Sequence, residues 1–448
     1  MAPHRSVFWF RRDLRLADNP ALVAAATGVD EVVALFVLDP ALWDRSGAAR
    51  RAHLVASLRA LDADLGGSLL LRRGNPVDVV PAVAAGVDAD EVHAAFDFGP
   101  YGSHRDRAVD VALSIQRRQL VQLGSPYAVA PGRVTKQDGS AYQVFTPFHR
   151  AWLEHGWRSP VPRTATAFGR PLASDSLPDL TAAGRAGEAA ALQRWHEYLD
   201  GPTRVLYPDL RDRPDLDATS HLSVALKFGE LHPRTVLDSL GPTRSDEALR
   251  RQLAWREFYA DVLHHRPDSA RGYYRTELAG QEYDDANTSA RLVAWQTGRT
   301  GYPFVDAGMR QLLAQGWMHN RLRMVVASFL VKDLHLEWNV GARWFMQQLV
   351  DADLASNSHG WQWVAGTGTD AAPYHRIFNP ITQGRRFDPD GGFVRRYVPE
   401  LRHLTGAAVH EPWASPDGLA HGYPERIVDH DTERKDALRR YAEVRNQG

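Results

Sequence analysis

The sequence predicts a two-domain protein, an α/β doubly wound parallel sheet followed by an all-helical domain. Three features predict it: apolar runs without alternation in the first third, helical periods between them, and only helical periods after Glu188. Val32–Leu38 is continuously apolar and stops at Asp39-Pro40. Such a run suits a strand covered on both faces. Ser6–Phe10, Leu69–Leu71 and Val92–Ala95 read as three further strands. Ala48–Leu65, Val77–Ala85 and Arg105–Leu123 carry helical periods between them, and strand–helix alternation is the pattern of a doubly wound sheet. From Ser159 to Gly187 the chain is rich in Pro, Ser, Ala and Gly without a period, which reads as a surface connection. The expected division is therefore 1–130 for the sheet domain, 131–190 for the linker and 191–448 for the helical domain. Its helices are expected at Glu188–Leu199, Glu247–His265, Ala290–Gln296, Val305–Gln315, Asn320–Asp333 and Ala342–Leu349.

Composition narrows the function. A chain of 448 residues with 44% hydrophobic and 24% charged content is an ordinary globular one. With no cysteine it can form neither disulfides, thiolate nucleophiles, iron–sulfur clusters nor zinc–thiolate sites. A net charge of −1 confines any nucleic-acid site to a local basic patch. Thirteen tryptophans offer flat faces for stacking. No apolar run approaches the roughly 20 residues that span a bilayer, and Met1–Arg15 has charges where a signal peptide needs its apolar core. A soluble, cytoplasmic chain is expected.

The chemistry concentrates between Trp317 and Pro380. Asp351, Asp353, Asn357, Trp361 and Trp363 fall within thirteen residues, followed by Gly366, Gly368 and Pro373, and the segment reads as short and irregular. Asp351 and Asp353 could be a hydrolytic carboxylate pair beside sugar-stacking tryptophans, or could serve a bound group. Arg323 could reach and fix Asp351. Gln252, Trp255, Arg256 and Tyr259 share a helical face by three- and four-residue spacing, as a groove wall would require. Asn320 and Met324 lie one turn apart. Thr219 and Ser220 are N-cap types whose helix start is either an ordinary cap or a phosphate site. Arg310, Arg321, Arg323, Lys332 and Arg343, then Arg376, Arg385, Arg386, Arg395 and Arg396, read either as solvated helix faces or as a phosphate-backbone track. No GxGxxG follows a strand, and neither G-x-S-x-G nor H-E-x-x-H occurs. His319, His335, His359 and His375 lack short ligand spacing, so no metal site is expected.

These residues, in this order, resemble the photolyase/cryptochrome family, specifically bacterial class I cyclobutane-pyrimidine-dimer photolyases. The resemblance runs through Phe8–Leu16, Thr219–Ser223, Trp255–Tyr259, Gly301–Pro303, Trp317–Met324 and Asp351–Gln383. It implies a light-harvesting antenna in the N-terminal domain and FAD in the helical one. Tyr207, Thr219, Ser220, His221, Leu222 and Ser223 match contacts to FAD phosphates and sugar. Asp351 and Asp353 match residues beside the ring and ribityl chain, with Arg323 as the partner of Asp351, and Asn357 matches the amide facing flavin N5. The implied reaction is light-driven electron transfer from reduced FAD to a dimer flipped out of damaged DNA. Gln252, Trp255, Asn320, Met324 and Trp363 match lesion contacts. Arg211, Arg256, Tyr259, Arg321, Arg376 and Gln383 match or flank DNA contacts. Trp361 and Trp338 match the first two members of an electron relay. A monomer acting on UV-damaged DNA, without membrane or obligate protein partner, is the expectation.

Two positions depart from the family pattern. Gln252 stands where dimer photolyases usually carry Glu, as in relatives that repair (6-4) photoproducts. Those relatives, however, use histidines where this chain has Asn320 and Met324. Asp285 stands where the relay's third tryptophan belongs, leaving Tyr283 or another aromatic to substitute. A cryptochrome-like photoreceptor is the rival reading; the chain ends soon after Gln383 with no low-complexity tail, which favours the enzyme. The loop Phe98-Gly-Pro-Tyr101-Gly102 lacks the acid of folate-type antennae and suggests an 8-hydroxy-5-deazaflavin over methenyltetrahydrofolate.

Overall fold

The computed structural model describes residues 3–286, 290–370 and 376–447. Its contacts divide the chain into two compact units, one of residues 1–201 and 220–267, the other of 202–219 and 268–448.

The first unit is built on five parallel strands, β1 (Arg5–Phe10), β2 (Glu31–Leu38), β3 (Leu70–Arg73), β4 (Glu91–Ala94) and β5 (Gln119–Gln122), in the order β3-β2-β1-β4-β5. The four strands read from sequence are present; β1 and β2 are buried on both faces along nearly their whole length, β3 and β4 over part of theirs. β5 corrects the expected helix Arg105–Leu123: that helix spans Pro100–Ile115, and a short, half-polar edge strand follows it. The strand order reverses between β1 and β4, the switch point where such sheets bind ligands. Helix starts are written locally. Asn19 and Asn75 each accept a backbone N–H two or three residues ahead, and each is followed by a proline whose fixed φ begins the helix. The expected surface connection covers the sheet's edge. Val32 N donates to Ala167 O (2.9 Å), Leu71 N to Ser174 Oγ (2.9 Å) and Asp175 N to Leu71 O (3.0 Å), leaving fewer backbone groups open to aggregation.

The helix Arg244–His265 belongs to this unit and is fixed through one buried carboxylate. Glu257, 2% exposed, accepts from Ala128 N (2.5 Å), Val129 N (3.0 Å) and Trp152 Nε1 (2.7 Å). Burial pushes its carboxyl up, against the pull of these three donors.

The second unit packs the helices Ala290–Thr297, Pro303–Gln315, Asn320–Lys332, Trp338–Gln348 and Leu354–Ala365 around Trp295, Phe329, Trp338, Phe345 and Trp361. Gly301-Tyr302-Pro303 opens it: Gly301 has φ +78°, and a Cβ there would lie 2.3 Å from Glu425 O, so only glycine fits. Asp306, fully buried, ties this turn down by accepting from Thr300 N and Oγ1 (2.7 Å each), Gly301 N (3.1 Å) and Tyr423 Oη (2.5 Å). Among the described residues no helix is long and apolar enough to cross a membrane.

Replacing Glu257 by Gln turns an acceptor into a donor facing other donors. It should lower the unfolding free energy by about 1–3 kcal/mol, the cost of a buried unsatisfied group. The check is a lower denaturation midpoint with unchanged far-UV circular dichroism, and an unshifted midpoint would contradict it.

Candidate functional site

In the second unit the residues singled out between Trp317 and Pro380 sit on helices, correcting the irregular segment expected around Asp351–Trp363. The helix Leu354–Ala365 starts at Asp353, whose Oδ1 accepts from Ser356 N (3.1 Å), and ends at Gly366 in the left-handed conformation (φ +87°). Its Ser, Asn and Gly content is poor for a helix, and packing overrides it. Ser358 Oγ donates to Ala270 O (2.8 Å), Gln362 Nε2 to Ser269 O (2.9 Å), and Gln362 Oε1 accepts from Tyr274 N (2.7 Å). Ser358, Trp361 and Gln362 are buried, while Asn357, Gly360 and Trp363 stay half-exposed on a stripe of three-residue spacing. The two tryptophans thus differ by position: Trp361 faces the core, Trp363 the accessible side.

Arg323 and Asp351 form an ion pair, Nη2 to Oδ2 at 2.8 Å, and Arg323 Nε also donates to Met318 O (2.8 Å). Asp351 Oδ1 is buried and has no hydrogen-bond partner among the described residues. A buried carboxylate oxygen without a donor is costly unless a bound group supplies one. Asn357 Nδ2 donates to Ala342 O (3.0 Å), which fixes the carboxamide and leaves its oxygen available. Asn320 is exposed one turn before half-buried Met324, with Nδ2 3.9 Å from Sδ. Tyr207 is buried on the helix Thr203–Leu210. Gln383 Oε1 is a second buried acceptor without a partner.

The expected basic track is only partly open. Lys332 is buried, donates to Arg376 O, and burial lowers its ammonium to about 7, so it is no phosphate contact. Arg310 is held by Gly298 O (2.9 Å) and Glu400 (2.7 Å), and Arg385 pairs with Glu411. Arg321 pairs with Asp212 (2.8 Å) and lies over the Phe387 ring at 4.3 Å. Arg211 caps the helix Thr203–Leu210, while Arg343 and Arg386 are exposed. Residues 371–375, with Pro373 and His375, lie outside the described residues. Sequence spacing missed the meeting of His335 with Glu433 (2.7 Å) and Asp436 (3.7 Å), whose residues are about a hundred positions apart. Asp436 is balanced by Arg439 and Arg440.

In the first unit, Trp255 stacks on Phe145 (centroids 3.7 Å apart, 5° between planes), so one face is already covered. Half-buried Gln252 makes no hydrogen bond among the described residues, leaving both amide functions open. Tyr259 is half-buried beside Trp255. Arg256 points elsewhere than the groove wall expected of it: it donates to Pro126 O (3.0 Å) and Leu226 O (3.2 Å) and lies over Tyr127. The helix after Thr219 and Ser220 begins only at Ser223, with Leu222 at the cap position and no side-chain cap, so the expected N-cap role fails. His221 has φ +52°. At the sheet's switch point Arg11 contacts Asp106 (2.5 Å), and Asp97 lies against Gly102, where a Cβ would meet its carboxyl at 2.1 Å. Burial would raise Asp97, but Arg105, Arg12 and Arg11 hold it below the usual range.

Replacing Arg323 by Leu strands the Asp351 carboxylate. The expected cost is about 2–3 kcal/mol, below the roughly 3–5 of a fully buried pair because Arg323 keeps partial exposure. Denaturant unfolding followed by tryptophan fluorescence would test it, and a wild-type midpoint would refute it.

Comparison with known proteins closes the assignment. Residues 6–166 match the family described as DNA photolyase, and residues 249–443 that described as FAD binding domain of DNA photolyase. The chain is 42% identical to a deoxyribodipyrimidine photo-lyase of Streptomyces griseus, over 95% of this chain and 96% of the relative. It is 38% identical to the deoxyribodipyrimidine photo-lyase of Halobacterium salinarum, over 98% and 99%. A bacterial class III photolyase from Agrobacterium tumefaciens superimposes with a TM-score of 0.93 at 35% identity, covering 100% of this chain and 98% of that one. The chain belongs to the DNA photolyase family.

Proposed function

We propose that this chain is a deoxyribodipyrimidine photo-lyase, reversing cyclobutane pyrimidine dimers in UV-damaged DNA under blue light. Identity of 38–42% with enzymes of that name over nearly the whole chain supports the reading most directly. When bound and reduced, FAD supplies the light-excited electron that opens the cyclobutane ring; the chain supplies position and environment.

The second unit's residues suit that cofactor. Asp351 offers a buried acceptor with no protein donor, held in place by Arg323. Asn357 presents its carboxamide from a fixed point on the helix Leu354–Ala365 and would face flavin N5. Asp353, Tyr207 and Thr219 of this unit are further candidates for ring, ribityl and phosphate contacts by the family resemblance, as are Ser220, His221, Leu222 and Ser223 of the first unit. The family resemblance makes Trp363, Asn320 and Met324 the lesion candidates of the second unit, with a stacking face, an amide and a thioether, and Trp255 and Gln252 those of the first, with a stacking face and an amide. Gln252 can donate and accept hydrogen bonds to the bases but cannot give up a proton, so it orients the lesion without acting as an acid. Arg211, Arg321, Arg376 and Gln383 are the proposed DNA contacts. The antenna we assign to the 8-hydroxy-5-deazaflavin class, since the loop 98–102 carries no acid. A cytoplasmic monomer is the proposed working form.

Purified protein with fully reduced FAD should clear dimers from UV-irradiated DNA under blue light and not in darkness. Absence of light-dependent clearance would overturn the proposal. Trp363→Ala should weaken binding to dimer-containing DNA by about 1–3 kcal/mol, the worth of one base stacked on an aromatic. Affinity for undamaged DNA should change little, and equal loss on both DNAs would remove Trp363 from the lesion.

A further inference from the structure

Asp285 is exposed and carries no ring, so a relay through Trp361 and Trp338 needs another end. Trp361 lies against the helix Trp338–Gln348: a Cβ on Gly341 would meet its Cη2 at 2.1 Å, and Gly341 sits one turn after Trp338. Trp338 is 1% exposed, and its indole N–H is buried without a hydrogen-bond partner among the described residues. Among the described residues no base is hydrogen-bonded to that N–H, so an electron from a neighbour is the way those residues offer to relieve the charge of an oxidised indole there.

That neighbour is Tyr273. Its ring meets Trp338 edge to face, centroids 6.1 Å apart at 86°. Its hydroxyl donates to Glu337 Oε1 at 2.9 Å, and the ring is partly exposed. Glu337 occupies the N-cap position of the helix Trp338–Gln348, yet its side chain makes no capping bond and reaches Tyr273 instead. A capping position diverted from capping marks a local rule broken for another purpose. The loop carrying Tyr273 is pinned on both sides by Gln362, which bonds Ser269 O and Tyr274 N. Tyr283, the substitute suggested by sequence, makes no ring contact with Trp338 among the described residues.

We propose that Tyr273 is the terminal electron donor of this chain's flavin photoreduction and that Glu337 is its proton acceptor. Trp338, oxidised by one electron through Trp361 with a light-excited oxidised flavin as oxidant, takes one electron from Tyr273. The phenolic O–H bond breaks as the proton passes to the Glu337 carboxylate. Trp338 returns to the neutral indole, leaving a neutral Tyr273 radical and a protonated Glu337. Burial, with Tyr283 and Glu337 nearby, pushes the Tyr273 phenol far up, so it holds its proton until the electron leaves. This step rests on the FAD reading above and adds its residues.

The test is transient absorption and electron paramagnetic resonance of the FAD-loaded protein after a blue flash. The unmodified chain should give a neutral tyrosyl radical, and Tyr273→Phe a tryptophanyl radical. The lifetime of the separated charge should shorten about tenfold or more, the factor that ~1.4 kcal/mol of lost driving force produces. Glu337→Gln keeps the ring contact and removes the base; it should lower the tyrosyl yield and make it depend on buffer concentration. A second readout needs no flavin: in ultraviolet titration of the apoprotein, Glu337→Gln should move one late-ionising tyrosine to lower pH, while burial and Tyr283 still keep it above the exposed tyrosines. A tryptophanyl radical in the unmodified chain, or a tyrosyl radical surviving in Tyr273→Phe, overturns the proposal. If the unmodified chain forms the tyrosyl radical but fails to clear dimers, the repair reading falls and this one stands.

Discussion

One charge pair organises the second unit. Arg323 and Asp351 join the helix Asn320–Lys332 to the turn that starts the helix Leu354–Ala365. The carboxylate is almost wholly buried, and the guanidinium is the partner that offsets the cost of burying its charge. With it, the turn is fixed, Asp353 falls at the cap, and Asn357, Trp361 and Trp363 follow at defined angles around the helix. The pair uses one carboxylate oxygen and leaves the other without a donor. That second oxygen is the acceptor proposed above for the cofactor.

Other buried polar groups differ in how fully their own unit satisfies them. Glu257 and Asp306 are as buried as Asp351, but each is surrounded by three or four donors from its own unit. They lock helices and turns and have no capacity to spare. Asp351 Oδ1, Gln383 Oε1 and the Trp338 N–H are buried groups whose partners the described residues do not supply. Arg256 shows the converse. It stands in a stripe of promising residues, yet two backbone carbonyls consume its donors, so its neighbours Gln252 and Trp255 retain the available chemistry.

Much of this was legible in the chain because the signals were local or strongly periodic. The central strands announce themselves by unbroken apolar runs, since a parallel sheet covered on both faces admits no alternation. β5 escaped because Gln119–Gln122 is short, half-polar and continuous with the preceding helical pattern. The helix Leu354–Ala365 escaped because Ser356, Asn357, Ser358 and Gly360 favour other conformations, and only contacts to Ser269–Tyr274 make it helical. The Arg323–Asp351 pair was within reach because a long cation and an acid flank one motif. Glu337 meeting Tyr273 was not: they are 64 positions apart, and no periodicity links a helix cap to a distant loop.

The arrangement around Trp338 follows from its surroundings as much as from its ring. An indole radical cation loses its proton where a base or water is hydrogen-bonded to nitrogen, and here the nitrogen is buried and the described residues place no base on it. The base has been placed one bond further on, at the hydroxyl of a phenol touching the ring edge. Separating the indole from its proton acceptor keeps the electron hole mobile until it reaches a group that can release a proton. Once that proton has moved to Glu337, return of the electron requires it to move back, which a bare indole cation would not demand. On the relay proposed above, the Tyr273–Glu337 hydrogen bond would supply by proton transfer what a third ring would supply by distance.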